Sequence, residues 1–290
     1  TGSACTFSNL TESVVINPTP LINLLNTSNS SCYNSDNGSI SVSATGGQPI
    51  SYTWSNGNTN ATINNLSPGL YTITVQDSYT CTNDTIFPIT EPDTLVSSIA
   101  ITSNYNGQNI SCYNYADGTV LATATGGTAP YSFLWSNGQT NAAATGLVAG
   151  TYSVTVTDGN GCQAVLSVTI TQPNQPLTVS YIVTNISCFG LIDGSIDVTP
   201  VGGTAPYTYF WSTTQVSQDI SNLAPGQYIV SITDANNCSR SFPNLVNITE
   251  NSPITASFVL TNLTCGMPNP SNNGAIDASV SGGSGTYTFA

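Results

Sequence analysis

Eight cysteines and fourteen acidic residues are the groups in this chain able to do chemistry, and their company limits what that chemistry is. There is no His and no Lys, and Arg240 is the sole cation. Without His there is no Ser-His-Asp or Cys-His arrangement. No two cysteines form a Cys-x-x-Cys pair, so a zinc site has no ligand set to draw on. Regularly spaced cysteines in a chain rich in Thr, Ser, Asn, Val and Ile point instead to disulfides and an oxidising compartment.

The acids come singly. Asp36, Asp117 and Asp193 stand at or near Gly38, Gly118 and Gly194. Loop carboxylates could cage calcium, which needs several hard oxygens. The same residues at a turn would hydrogen-bond nearby backbone, and that reading is preferred because the fourth copy has Asn272-Asn273-Gly274 there. Asp77, Asp158 and Asp234 each close an alternating run. Glycoside hydrolysis needs two carboxylates about 5–9.5 Å apart in a cleft, and isolated acids on predicted turns do not supply that. The expectation is no catalytic residue, no cofactor, with calcium at Asp36, Asp117 and Asp193 as the alternative, and no enzyme within this chain.

The elements that carry these residues repeat. Trp54, Trp135 and Trp211 each end an alternating aromatic run, and Gly46-Gly47, Gly126-Gly127 and Gly202-Gly203 precede them. A fourth copy starts at Gly282-Gly283. Leu-x-x-Gly-x-Tyr recurs at Leu66–Tyr71, Leu147–Tyr152 and Leu223–Tyr228. A front Cys opens each copy (Cys32, Cys112, Cys188, Cys265), and Cys81, Cys162 and Cys238 close them. The front cysteines are evenly spaced, at the interval of one small domain. Cys5 is the closing Cys of an earlier copy. Pro-containing joints divide the chain into a tail over 1–20, repeats over 21–94, 95–175 and 176–252, and the first half of another over 253–290. A half-sandwich cannot bury a core alone, so a longer polypeptide is expected.

Period-two alternation predicts strands and no helix. In the second repeat they fall at Leu95–Ile101, Gly118–Thr125, Tyr131–Trp135, Asn141–Leu147, Tyr152–Thr157 and Ala164–Thr171, with Ser136-Asn137-Gly138 as a hairpin turn. The fold class is all-β: immunoglobulin-like or fibronectin-like antiparallel sandwiches in a linear array. The Leu-x-x-Gly-x-Tyr pattern fits a tyrosine corner, and the Trp residues fit the core between sheets better than a sugar-stacking surface.

The bulk numbers exclude several partners. Charged residues are 5% of the chain, against about a quarter in ordinary proteins. A net charge of −13 argues against nucleic acid and anionic lipid, both of which select Lys and Arg. No apolar run approaches the ~20 residues of a spanning helix, and no targeting signal is visible from Thr1 to Cys5.

Three wirings of the cysteines stay open. Bridges inside a repeat (Cys32–Cys81, Cys112–Cys162, Cys188–Cys238) make each repeat self-contained and lead slightly. Adjacent pairing (Cys5–Cys32, Cys81–Cys112, Cys162–Cys188, Cys238–Cys265) uses all eight. Bridges between neighbours (Cys32–Cys162, Cys112–Cys238) suit a sandwich whose front and closing cysteines lie at opposite ends, given the ~4.4–6.8 Å Cα reach of a disulfide.

The ordered set runs Cys, Asp-Gly-Thr/Ser, Gly-Gly-Thr-Ala-Pro-Tyr, Trp-Ser-Asn-Gly, Leu-x-x-Gly-x-Tyr, Thr-Asp-Gly-Asn-Gly-Cys and Ile-Thr-Gln-Pro. It resembles the SprB repeat of gliding-motility adhesins and other large surface proteins of Bacteroidota. The resemblance covers the whole chain and departs at Gln48-Pro49-Ile50 and at Gly266–Gly274. It implies export by type IX secretion, a cell-surface filament, contact with surface polysaccharide, and in some members a motility motor. The expected partners are thus neighbouring repeats, surface polysaccharide and secretion or motility machinery. It also brings an O-glycosylation pattern, Asp-Ser/Thr-apolar, met at Thr85 and Thr94. The expected function is the stalk of an adhesive filament, with multivalent glycan binding, or spacers of a large secreted enzyme, as the alternatives.

Overall fold

The computed structural model describes residues 17–262 and 274–289. Cys5, Cys265, Asn272, Asn273 and most of the predicted tail over 1–20 lie outside them. The described residues contain strands and no helix. By backbone contacts the described residues fall into two compact units, one within 1–100 with 121–144 and 152–168, the other within 101–120 with 145–151 and 169–290, the division passing through the second repeat.

In the first unit, β1 (Leu21–Ser28), β2 (Gly38–Thr45), β3 (Ser51–Trp54), β4 (Thr62–Leu66), β5 (Gly69–Gln76) and β6 (Thr82–Ile89) make two three-stranded antiparallel sheets, ordered β1-β2-β4 and β3-β5-β6. Consecutive strands thus change sheets at β3, at β4 and again at β5, which is the strand order of an immunoglobulin-like sandwich. Alternation puts one face of each strand inward. Ile40 and Val42 of β2, Ile63 and Leu66 of β4, and Ile73 and Val75 of β5 meet around Trp54.

The second repeat supplies β7 (Val96–Ile101), β8 (Gly118–Thr125), β9 (Ser132–Trp135), β10 (Ala143–Leu147), β11 (Gly150–Thr157) and β12 (Gln163–Ile170). Its β9 pairs antiparallel with β11, Trp135 opposite Val154. The strand expected at Asn141–Leu147 starts two residues later, at Ala143, and the Asn141 carbonyl just before it accepts the Trp135 indole N–H at 2.9 Å.

In the second unit, β13 (Thr178–Thr184), β14 (Gly194–Val201), β15 (Thr208–Trp211), β16 (Ile220–Leu223), β17 (Gly226–Thr233) and β18 (Ser239–Ile248) repeat the plan, with sheets β13-β14-β16 and β15-β17-β18 around Trp211. Finally, β19 (Thr255–Thr261) and β20 (Ala275–Ser281) form an antiparallel pair that leaves Phe258, Val259, Leu260 and Ile276 exposed.

The aromatic landmarks are structural. All three Trp rings are buried, and each indole N–H is satisfied by a carbonyl six residues on, at Asn60, Asn141 and Ser217. Burying one such ring contributes about 4–6 kcal/mol at most. Tyr71 and Tyr228 donate their hydroxyls to the carbonyls of Ser67 and Ala224 four residues back, the geometry of a tyrosine corner.

The Gly-Gly pair has two steric causes. A Cβ on Gly126, whose φ is +69°, would lie 2.0 Å from the Thr94 carbonyl oxygen. One on Gly127 would lie 2.6 Å from a carboxylate oxygen of Asp158. Gly202 and Gly203 meet the same obstacles from Pro176 and Asp234.

Candidate functional site, a stapled joint

Each complete joint has two halves. The first is a front loop that presents a Ser-Cys dipeptide. In the first repeat Asn37 holds it, accepting from the Ser31 amide at 2.9 Å and donating to the Ser31 hydroxyl at 2.6 Å. In the second repeat Asp117 does so, accepting from the Ser111 amide at 3.1 Å and from its hydroxyl. Asp193 binds the amide and hydroxyl of Ser187 in the third. The residue equivalent to Asp117 and Asp193 is therefore Asn37, not Asp36, a position the sequence pairing had shifted by one. The Ser187 hydroxyl and amide hold the Asp193 carboxyl below the usual range.

These loops are tied down from the joint. The Asn34 amide donates to Glu91, the Asn114 amide to Gln172 at 2.9 Å and the Gly190 amide to Glu250 at 3.1 Å. Asn29, Asn109 and Asn185 accept from the amides of Thr90, Thr171 and Thr249. Sequence reasoning missed both sets, although Asn-x-Ser-Cys recurs before each of these front cysteines.

The second half is the closing turn, Asp-x-Asn-x-Cys. One carboxylate oxygen of Asp158 accepts from the amides of Asn160 (2.9 Å) and Cys162 (2.8 Å), the other from Thr128 (2.9 Å). Asp234 does the same with Asn236, Cys238 and Thr204. Burial opposes ionisation of Asp158, but amides of Thr128, Cys162, Asn160 and Gly161 outweigh it and keep its carboxyl below the usual range. Asp158 and Asp234 thus build turns.

In the first unit the turn meets the front loop of the previous repeat. The Asn160 side-chain amide donates to the Ser31 carbonyl at 2.9 Å, and Cys162 bonds Cys32, with Cα atoms 5.7 Å apart. In the second unit Asn236 donates to the Ser111 carbonyl at 3.2 Å and Cys238 bonds Cys112, Cα atoms 5.6 Å apart. Of the three wirings, the bridge between neighbours is the one present. The slightly favoured in-repeat bridges Cys32–Cys81, Cys112–Cys162 and Cys188–Cys238 do not form, because the closing turns of the second and third repeats deliver Cys162 and Cys238 to the preceding repeat's front loop. Among the described residues Cys81 is half-buried and Cys188 exposed, both as thiols.

The remaining candidates scatter. Thr94 is exposed in an irregular segment, whereas Thr85 is half-buried on β6 opposite Ile73. Among the described residues no three Asp, Glu, Cys or His side chains gather where a cation could be held. One acidic pair went unforeseen: Asp197 on β14 faces Asp219 just before β16. Repulsion from Asp219 pushes the Asp197 carboxyl up.

Among curated proteins none matches the chain. Among solved structures it resembles the N-terminal eight Ig domains of Down Syndrome Cell Adhesion Molecule, at 12% identity and TM-score 0.36, over 79% of this chain and 36% of that one. It also resembles a tetra-tandem repeat in the extending region of a large adhesion protein, at 13% identity and TM-score 0.25, over 92% and 88%. The Dpr2 Ig1-Ig2 complex with DIP-Theta Ig1-Ig3 matches at 10% identity and TM-score 0.28, over 78% and 99%. The model of the SprB repeat matches residues 24–59, 104–140, 180–216 and 257–290. Each of these four stretches includes a front Cys and runs on toward the Trp position, so the chain is a tandem array that carries the SprB repeat four times.

Proposed function

We propose that this chain is a non-catalytic, tension-carrying stalk segment of a long extracellular filament used for surface attachment or gliding. The observation that carries the reading is the wiring: both bridges join one repeat to the next and neither closes within a repeat. A bridge placed that way resists separation of neighbours, which is what a stalk under drag requires, and reach then scales with copy number. The buried Trp rings support a structural role over a sugar-binding one. Disulfides fit an oxidising compartment. SprB repeats belong to cell-surface proteins.

The test is peptide mapping of the protein taken from intact cells, without reduction, using a protease that needs neither Lys nor Arg, alongside labelling of the chain on unpermeabilised cells. Linked Cys32–Cys162 and Cys112–Cys238 peptides from surface-exposed protein are expected. Free thiols at all four positions, or no surface label, would sink the reading.

One observation favours a second reading, multivalent glycan binding. An aromatic directly follows each of three front cysteines, and Tyr33 and Phe189 are each 55% exposed. Phe189 and Tyr287 line a cleft of about 460 Å³. Repeated weak sites of this kind would act through avidity. Retention of the chain on a polysaccharide column, lost in Tyr33→Ala/Phe189→Ala, would favour it.

A further inference from the structure

The two bridges overlap. Cys32–Cys162 spans 130 residues and Cys112–Cys238 spans 126, and the stretch from Cys112 to Cys162 lies inside both loops. We propose that this overlap is an extension stop, a function that neither bridge performs alone. A chain under tension transmits force along its shortest covalent path. Between Cys32 and Cys238 that path crosses the first bridge to Cys162, runs backward along the chain to Cys112, and crosses the second bridge to Cys238.

Only the stretch from Cys112 to Cys162 is then extensible, in place of everything from Cys32 to Cys238. A stretched residue contributes at most about 3.6 Å, so the interval opens to about 180 Å instead of about 740 Å. Force enters the shared stretch at its C-terminal end and leaves at its N-terminal end. That stretch holds β8 to β11 and Trp135, so the line of force runs through the second repeat's own strands. The rest of the chain between Cys32 and Cys238 hangs in closed loops outside the line of force.

Overlap has a signature that separate bridges cannot produce. Without the first bridge, the path runs along the chain from Cys32 to Cys112 and then crosses the second bridge. Without the second, it crosses the first bridge and then runs from Cys162 to Cys238. Each single loss therefore frees about 100 Å of fully stretched length, and loss of both frees about 560 Å. Bridges closed within repeats would instead give single losses that sum to the double loss.

The stop takes its purpose from the stalk reading, but its test uses the chain alone, so either can fail without the other. The whole chain, with free thiols alkylated, is pulled between protein handles at its two ends. Wild type is compared with Cys32→Ser/Cys162→Ser, Cys112→Ser/Cys238→Ser, the fourfold variant, and wild type reduced with dithiothreitol. The readout is the final stretched length, which does not depend on how well a variant folds because force unfolds every part. Two increments of about 100 Å, and about 560 Å for the fourfold variant and the reduced chain, are expected. Increments that add, or no increment from either single pair, would overturn the proposal.

Discussion

Asn160 donates its side-chain amide to the backbone carbonyl of Ser31, 129 residues earlier, two positions before Cys162 closes its bridge to Cys32. The same side chain donates to the Thr128 hydroxyl at 3.0 Å. The closing turn is thus held to its own repeat and to the preceding one by a single amide, with the disulfide beside it. Asn236 occupies the equivalent place, while the first repeat has Tyr79. Asn160→Ala removes two hydrogen bonds and is expected to cost about 1–2 kcal/mol locally. Hydrogen exchange should show faster opening of the Asp158–Cys162 turn and unchanged protection in the third repeat's β17. Equal loosening in both places would contradict a local role for the amide.

The free thiols provide a direct check on the wiring. A maleimide added to the native, unreduced chain should modify Cys188 quickly and Cys81 slowly, since the first is exposed and the second half-buried. Cys32, Cys112, Cys162 and Cys238 should stay unmodified until reductant is added. Site-by-site mass spectrometry reads this. Rapid labelling of Cys162 or Cys238 before reduction would mean that the joint is not stapled.

The sheets and the core were legible in the sequence because both rest on short-range periodicity. Gly118–Thr125 is found where alternation put it, and Trp135, Tyr71 and Tyr228 play the core and corner roles their spacing implies. What the sequence left open is fixed by approach in space. Three cysteine pairings shared one spacing pattern, and only the seating of the Asp158 turn against Ser31 selects among them. Asp36 was aligned with Asp117 because both are acidic, yet the hydrogen bonds to the Ser-Cys loop come from Asn37. The Asp-x-Asn-x-Cys signal was visible in two repeats, but Tyr79 broke it in the first. The Asp197–Asp219 pair depends on strand register that no local pattern carries.

Acid should loosen the first unit through Asp158. Burial pushes its carboxyl up, but amide donors outweigh burial and hold it below the ordinary value of 3.8. A depressed carboxylate contributes stability that is full above the unfolded-state value and is lost as pH falls through the folded-state value. Asp158→Ala leaves the amides of Thr128, Asn160 and Cys162 without their acceptor and should cost about 1–3 kcal/mol at pH 7. The gap between wild type and variant should hold down to about pH 4 and shrink below it. Denaturant titrations across pH 2–7 measure it, and a gap of constant size would show that the carboxylate's charge is not what matters.

Asp197 predicts the opposite trend in the third repeat. Asp219 raises its carboxyl above the ordinary 3.8, first by charge repulsion and then through burial and a shared hydrogen bond. A raised carboxyl contributes stability that is present below the unfolded-state value and is lost as pH rises through the folded-state value, so the ionised pair is a liability at neutral pH. Asp197→Asn removes that repulsion while leaving Asp219 free to accept from the Val198 amide at 3.0 Å. The variant should melt slightly higher than wild type at pH 7 and at low ionic strength. Its advantage should narrow in high salt, where exposed charges are screened, and disappear near pH 3, where the raised Asp197 carboxyl is protonated. A lower melting point at pH 7 would mean that Asp197 contributes something other than its charge to the β14 edge.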